Sequence, residues 1–592
     1  MPRTRHLIAA SVVLLMSASA AWVIIDERSG RSSGSQPASP PSPATTLEPS
    51  SKLAETASPK APASAVAPAS APSPRARLER DRVAVLPGVP ALSSVQPPPY
   101  AGGRLEPGQP AEPIGHDRFH GAAVGGFKVA REAPVSTFSI DVDTASYGFV
   151  RASLNRNVLP PPSAVRTEEL INYFPYSYDP PRSAAEPFRI TTSVFPSPWS
   201  QGRKLVRIGI KGYEIQRAER PRANLVLLVD TSGSMQAPNR LPLVKQALQM
   251  LLAQLEPTDR VAIVTYAGSA GTALEPTPVA EKGRIAAAIE RLHAGGGTAG
   301  GEGIRQAYVL AAQNFDPKGV NRVILATDGD FNVGITSREE LKGFVERQRG
   351  KGIFLSVLGF GMGNYNDALM QALAQNGNGT AAYIDTINEA RKVLVEEATS
   401  TLIPIAKDVK IQVEFNPAAV SEYRLIGYET RLLNREDFKN DKVDAGEVGS
   451  GQSVTALYEI VPAGGPATID DLRYGAAAPA GRGGVPAGEY AFVQVRYKLP
   501  QSDASTLISA PVDAASEHAR LADAPADARF AAAVAAFGEI LRGGKLTGAF
   551  SYDDVLGLAT AARGDDPYGY RSEFLQLVRA AKTASAMQPL PR

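Results

Sequence analysis

Cysteine is absent from all 592 residues. That excludes disulfides, thiolate metal sites, a cysteine nucleophile and a lipid-modified N-terminal cysteine. Histidine is scarce. The five present do not form an H-E-x-x-H motif, so a zinc protease of that type is excluded. An excess of one charge sign is also missing. With 62 basic against 60 acidic residues the formal net charge is +2. A nucleic-acid partner needs a clustered basic face, so the charge balance argues for no nucleic acid. What remains is globular on average, with 43% hydrophobic and 21% charged residues, and the length allows several domains.

The N-terminus reads as an address. Positive charge in "MPRTRH" precedes an apolar run, Leu7 to Ile25, and Ala18-Ser19-Ala20 offers an A-x-A cleavage site. Export to the periplasm or cell envelope is expected. Cleaved, residues 1–25 are a signal peptide. Uncleaved, the run approaches the ~20 residues that span a bilayer and would be an inner-membrane anchor with its basic end in the cytoplasm. Residues 26–131 are rich in Pro, Ala and Ser, as in "SGSQPASPPSPATT". Such a stretch cannot bury enough apolar surface to offset its ordering entropy, and reads as a linker averaging roughly 50–60 Å end to end.

Beyond it the hydrophobic period changes twice. Residues 132–221 alternate, as in "FRITTSVFPSP" and "KLVRIGIKG", and are expected to be β-rich. In residues 222–402 continuous apolar runs ("ANLVLLVD", "RVAIVTYAG", "RVILATDGD", "GIFLSVLGFG") alternate with helical patterns. This predicts an α/β unit: a mostly parallel sheet with helices on both faces, Rossmann-like. Residues 403–500 alternate again, and 501–592 carry helical stripes such as Phe530, Val534, Phe537 and Leu541. Alternating strands on both flanks imply that the α/β unit is inserted into one β-sandwich built from either side, followed by a small helical part.

Chemistry concentrates in three segments of the α/β unit. Asp230, Ser232 and Ser234 follow the first apolar run, Thr298 lies in the glycine loop "AGGGTAGG", and Asp328 follows "RVILAT". Ligands of open parallel sheets bind beyond the carboxyl ends of the strands. All five side chains offer oxygen, which suits Mg²⁺, with Mn²⁺ or Ca²⁺ as alternatives. In order and spacing, D-x-S-x-S, then T, then D resembles the metal-ion-dependent adhesion site of the von Willebrand factor type A (VWA) family. "STFSIDVDTASY" and "PPPSAVRTEELINYF" are similar to stretches of the bacterial subfamily with added flanking domains. The resemblance implies direct metal contacts from Ser232, Ser234 and Thr298, and mostly water-mediated ones from Asp230 and Asp328. It also implies an open position for an Asp or Glu side chain of an unidentified protein partner. The expected function is metal-dependent protein binding, not catalysis.

Other readings of the same residues compete. "DTSGSM" alone could be an Asx-type turn or cap feeding the next helix. "GGGTAGG" lacks the G-K-[ST] ending of a phosphate loop. Residues 328–339 mimic a calcium loop but place Val333 where glycine is needed; a turn capped by Ser337 with Glu340 fits better. Asp141 and Asp143 read as structural hydrogen-bonding groups, and Trp199 as packing. A hydrolase would need a general base, for which His293 is the one candidate near the three segments. A scaffold whose metal only stabilises the fold is the remaining alternative.

Overall fold

A computed structural model describes residues 117–119, 121–297, 300–329, 338–363, 365–470 and 488–587. The apolar runs form a six-stranded sheet. Its order is Ala381–Ile384, Phe354–Phe360, Val320–Thr327, Ala223–Asp230, Arg260–Tyr266, Ala270–Pro278. Neighbours are parallel except the last pair. Every residue of Ala223–Asp230 and Val320–Thr327 is buried. A strand covered on both faces has no wet side, so its sequence does not alternate. Leu241–Gln254 and Lys282–Glu290 cover one face, packing on Leu225, Leu227 and Ile324. Gly300–Gln313, Arg338–Arg349 and Asp367–Asn376 cover the other, on Val226, Leu228 and Leu325.

The flanks do build one sandwich. One sheet joins Phe188–Pro196 and Lys204–Gly212 to Val420–Ile426 and Ser453–Pro462, and the other joins Val135–Ser139 to Pro404–Phe415 and Glu489–Lys498. In the second sheet Val413 stands opposite both Ser136 and Val493. Phe138, Ile411 and Val413 meet Val206, Ile208 and Tyr458 in the shared core. A third core draws on both ends of the chain. Tyr147, Leu170 and Phe174 pack with Phe530, Phe537 and Phe574 of the C-terminal helices.

Several boundaries differ from those the sequence suggests. Tertiary contacts are made before residue 131: the Asp117 carboxylate accepts from the Gly363 and Tyr365 amides, at 2.9 and 2.7 Å. Phe119 packs edge-on against Phe149, and Lys128–Val129 pairs with residues 422–423. Isolated apolar residues suffice there because the rest of the fold supplies the surface. Two strands carry no clear alternation, Ala270–Pro278 and Ser505–Asp513. Both contain proline and both lie at a sheet edge, where a missing amide is tolerated. The second of these extends the sandwich past residue 500. The closing helix of the α/β unit is broken by a π-helical turn at Lys392–Glu396. There Glu397 N–H bonds Lys392 O at 2.9 Å and the Lys392 and Glu397 side chains pair, a five-residue spacing a regular helix cannot close. The N-terminal address and the linker up to residue 116 lie outside the described residues, as does Ser337. Among the described residues no helix is long and apolar enough to cross a membrane.

One arginine joins the cores. The helix Ala145–Leu154 lies on the edge strand Ala381–Ile384 so closely that a Cβ on Gly148 would stand 2.4 Å from Tyr383 O. From that helix the buried Arg151 donates to Asp385 at 2.5 Å, Glu389 at 2.7 Å and Glu573 at 3.1 Å. Removing one partner of a buried charge cluster leaves the others uncompensated, typically at a cost of 3–5 kcal/mol. Arg151→Ala should therefore lower unfolding free energy by about 3–5 kcal/mol in urea titration; a loss below about 1 kcal/mol would mean the cluster holds nothing together.

Candidate functional site

From the central strand Ala223–Asp230 the chain turns one way to Arg260–Tyr266 and the other way to Val320–Thr327. The crevice between the first and last of these is the topological switch point, where open sheets bind ligands. Asp230 ends one of its two strands and Asp328 follows the other; both are 0% exposed.

The loop after Asp230 folds back on its carboxylate. Ser232 N–H donates to Asp230 Oδ1 at 2.9 Å, and Tyr266 and Thr327 hydroxyls each donate to Oδ2 at 3.2 Å. The Ser232 and Ser234 hydroxyls are 3.0 Å apart. Met235 is fully buried and anchors the loop, while Ser234 is exposed. The Asx-type turn is present, in the Ser232 N–H bond to Asp230, but the cap is not: the helix Leu241–Gln254 begins after Arg240 with no side-chain cap, and neither serine caps the short turn Gly233–Gln236. Thr298 lies outside the described residues. The glycines just before it reach the same loop, with Gly295 N–H donating to Thr231 O at 2.8 Å and Gly233 N–H to Gly296 O at 3.0 Å.

Arg240 carries no local signal that marks it as part of the site. Its Nη1 donates to Asp328 Oδ2 at 2.6 Å and to Ser234 O at 2.7 Å, and Nη2 donates to Met362 O at 3.1 Å. The other carboxylate oxygen, Asp328 Oδ1, is buried with no partner among the described residues. Among the described residues no three His, Cys, Asp or Glu side chains stand together as a metal group. A cation here would need the serine hydroxyls as well as the two aspartates, and the orphaned Asp328 Oδ1 fits such a cation. His293 is exposed and its Nδ1 donates to Arg291 O. Asp141 and Asp143 serve structure: both pair with Arg431, at 2.7 and 2.9 Å, and Asp143 accepts from Ala381 N–H at 2.7 Å. Trp199 donates to Glu459 at 3.0 Å and packs on Phe550.

Comparison with known proteins now has a geometry to refer to. The family model "von Willebrand factor type A domain" matches residues 224–396, "von Willebrand factor" matches 113–207, and "YfbK, C-terminal" matches 400–584. YfbK of Escherichia coli K12 is 44% identical over 464 residues, covering 77% of this chain and 79% of YfbK. The chain belongs to the YfbK family of VWA proteins. A second relative, sll0103 of Synechocystis, is 32% identical over 194 residues, covering 33% of this chain and 44% of its own. Among solved structures, a von Willebrand factor type A protein from Catenulispora acidiphila is 16% identical with a TM-score of 0.39, covering 66% of this chain and 89% of that one. The VWA match coincides with the α/β unit, and the other two coincide with the halves that build the sandwich and the helical part around it.

Burial pushes the Asp230 carboxyl up to about 6, against the pull of its Ser232 bonds; nearby Asp328 adds to the rise. The unfolded chain keeps the ordinary value of 3.8. Between about pH 4 and 6 the metal-free folded chain thus binds a proton the unfolded chain has lost, and stability falls as pH rises through that window. Asp230→Asn should remove this loss. In metal-free buffer the variant should melt higher than the parent at pH 7 but not at pH 4; parallel melting curves at all pH values would contradict the assignment.

Proposed function

We propose that this VWA unit captures an acidic side chain of a protein partner through a divalent cation. Asp230, Ser232, Ser234, Thr298 and Asp328 would hold the cation, Mg²⁺ by preference with Mn²⁺ and Ca²⁺ as alternatives. The observation that carries the reading is the fully buried Asp328, at the switch point beside Asp230, with one oxygen lacking a partner among the described residues. A buried carboxylate pair needs compensating positive charge. Arg240 supplies part of it through one oxygen of Asp328, leaving the other for a cation. Serine hydroxyls as direct ligands leave such an ion electrophilic, with capacity for a further carboxylate. A hydrolase is disfavoured because His293, the candidate base, is exposed and among the described residues bonds Arg291 O rather than any side chain of the site. We further propose that the protein is exported and acts in the periplasm or cell envelope, with residues 1–25 as a signal or tether and the proline-rich segment as spacer.

Full-length protein should be stabilised by Mg²⁺, by about 2.7 kcal/mol at a hundredfold excess over Kd, with the gain lost in Asp230→Ala. Equal melting temperatures in Mg²⁺ and in chelator would defeat the metal reading. Arg240→Gln should bind Mg²⁺ roughly tenfold more tightly by calorimetry, since a cation about 4 Å away repels on the scale of 1–4 kcal/mol. Unchanged affinity would show that the guanidinium does not compete with the ion.

A further inference from the structure

The strand Val320–Thr327 carries a second charged residue near its opposite end. Arg322 is 3% exposed and lines a cavity of about 260 Å³ between the α/β unit and the sandwich. The cavity lies just below the ~300–1,000 Å³ usual for pockets that hold drug-sized ligands. Asp141, Asp143, Arg431, Asp444 and Glu447 also line it.

Most of these charges are spoken for. Asp141 and Asp143 pair with Arg431, and Asp444 pairs with Arg349. Two are not. Arg322 forms no ion pair among the described residues; its Nη1 donates to Ser356 Oγ at 2.6 Å, and its Nε is buried without a partner. Glu447 forms none either, and its Oε1 is buried without a partner. A third orphan in the same wall is Asn378 Oδ1.

The geometry of the guanidinium narrows the chemistry. Ser356 holds Nη1, so the edge left over is the one formed by Nε and Nη2. Two parallel N–H groups on that edge match the two oxygens of a carboxylate. Glu447, on the sandwich side, has an oxygen lacking a donor. Glu447 compensates the buried guanidinium only at longer range, and a buried charge without a contact partner is costly, so an apolar side chain would be the more stable choice if packing alone decided. Burial also draws the Arg322 guanidinium down to about 10 against the pull of Glu447, and pushes Glu447 well above the usual carboxylate range, with Asp444 adding to the rise and Arg349 and Arg322 opposing it. The cavity on its own thus favours the neutral acid, and an ammonium beside Glu447 would restore the carboxylate.

We propose that this cavity binds a small zwitterion of the α-amino acid class, its carboxylate on the Nε/Nη2 edge of Arg322 and its ammonium on Glu447. A simple carboxylate would satisfy only the arginine, an amine only the glutamate, and the acidic walls disfavour phosphate. The inference is independent of the cation reading, since it uses none of the same residues.

The test is calorimetric titration of the full chain with each of the twenty amino acids, and with acetate, ethylamine and inorganic phosphate, at millimolar concentration. At least one amino acid should give saturable heat, with acetate, ethylamine and phosphate each at least roughly tenfold weaker, the scale of one lost charged contact. Arg322→Met should abolish the binding and Glu447→Gln should weaken it by a similar factor. No heat from any amino acid, which would leave the cavity to water alone, overturns the proposal. So does equal binding by Arg322→Met. Should that variant fail to fold, Glu447→Gln decides alone, and unchanged affinity overturns the proposal.

Discussion

Everything at the top of the central sheet follows from burying two carboxylates at the ends of adjacent parallel strands. Asp230 and Asp328 have no exposure, and ionised carboxylates out of water must be compensated by donors or cations. The loop after Asp230 exists in its observed form because it supplies donors: the Ser232 amide and the Tyr266 and Thr327 hydroxyls all turn to one carboxylate. Asp328 receives a guanidinium instead. The two acids are thus answered differently, one by neutral dipoles and one by a full charge on one side only.

The same logic of compensation explains why the chain wraps its VWA unit from both sides. A parallel sheet exposes an edge strand as well as two faces, and an open edge invites pairing with other chains. The helix Ala145–Leu154 lies directly on Ala381–Ile384, close enough to require glycine at position 148. Its Arg151 then neutralises carboxylates from the α/β unit and the last helix together. Residues before and after the insertion complete each other's sheets and share the third core. Neither flank would bury its apolar faces alone.

How much of this was legible in the sequence depends on how local each signal is. The buried strands were readable because double coverage writes itself as an unbroken apolar run. The serines and aspartates were readable because a site at strand ends must place its oxygens just after such runs. The insertion into a sandwich was readable from the two changes of period. Arg240 was not, since its role depends on Asp328, 88 residues away. Nor was the hydroxyl of Tyr266, which looks like any buried aromatic until its partner is known. The edge strands Ala270–Pro278 and Ser505–Asp513 were hidden by prolines that only an edge can tolerate. The end of the linker was hidden because Asp117 and Phe119 gain order from residues more than two hundred positions later and from the helix at 145, respectively.

One strand ties these observations together. Val320–Thr327 has Arg322 near its start and is followed by Asp328, opposite charges separated by six residues or roughly 20 Å of extended chain. Both side chains are buried and both have an unmatched polar atom. Side chains alternate between faces, so a slip of one residue would carry Arg322 to the wrong face of the sheet and withdraw Asp328 from its neighbour across the crevice. Apolar residues at both positions would bury more cheaply and leave the sheet intact. Hydrogen bonds from the surrounding fold hold both charges in place, Arg240 on one oxygen of Asp328 and Ser356 on one nitrogen of Arg322, and the unmatched atom at each end is what the two proposals rest on.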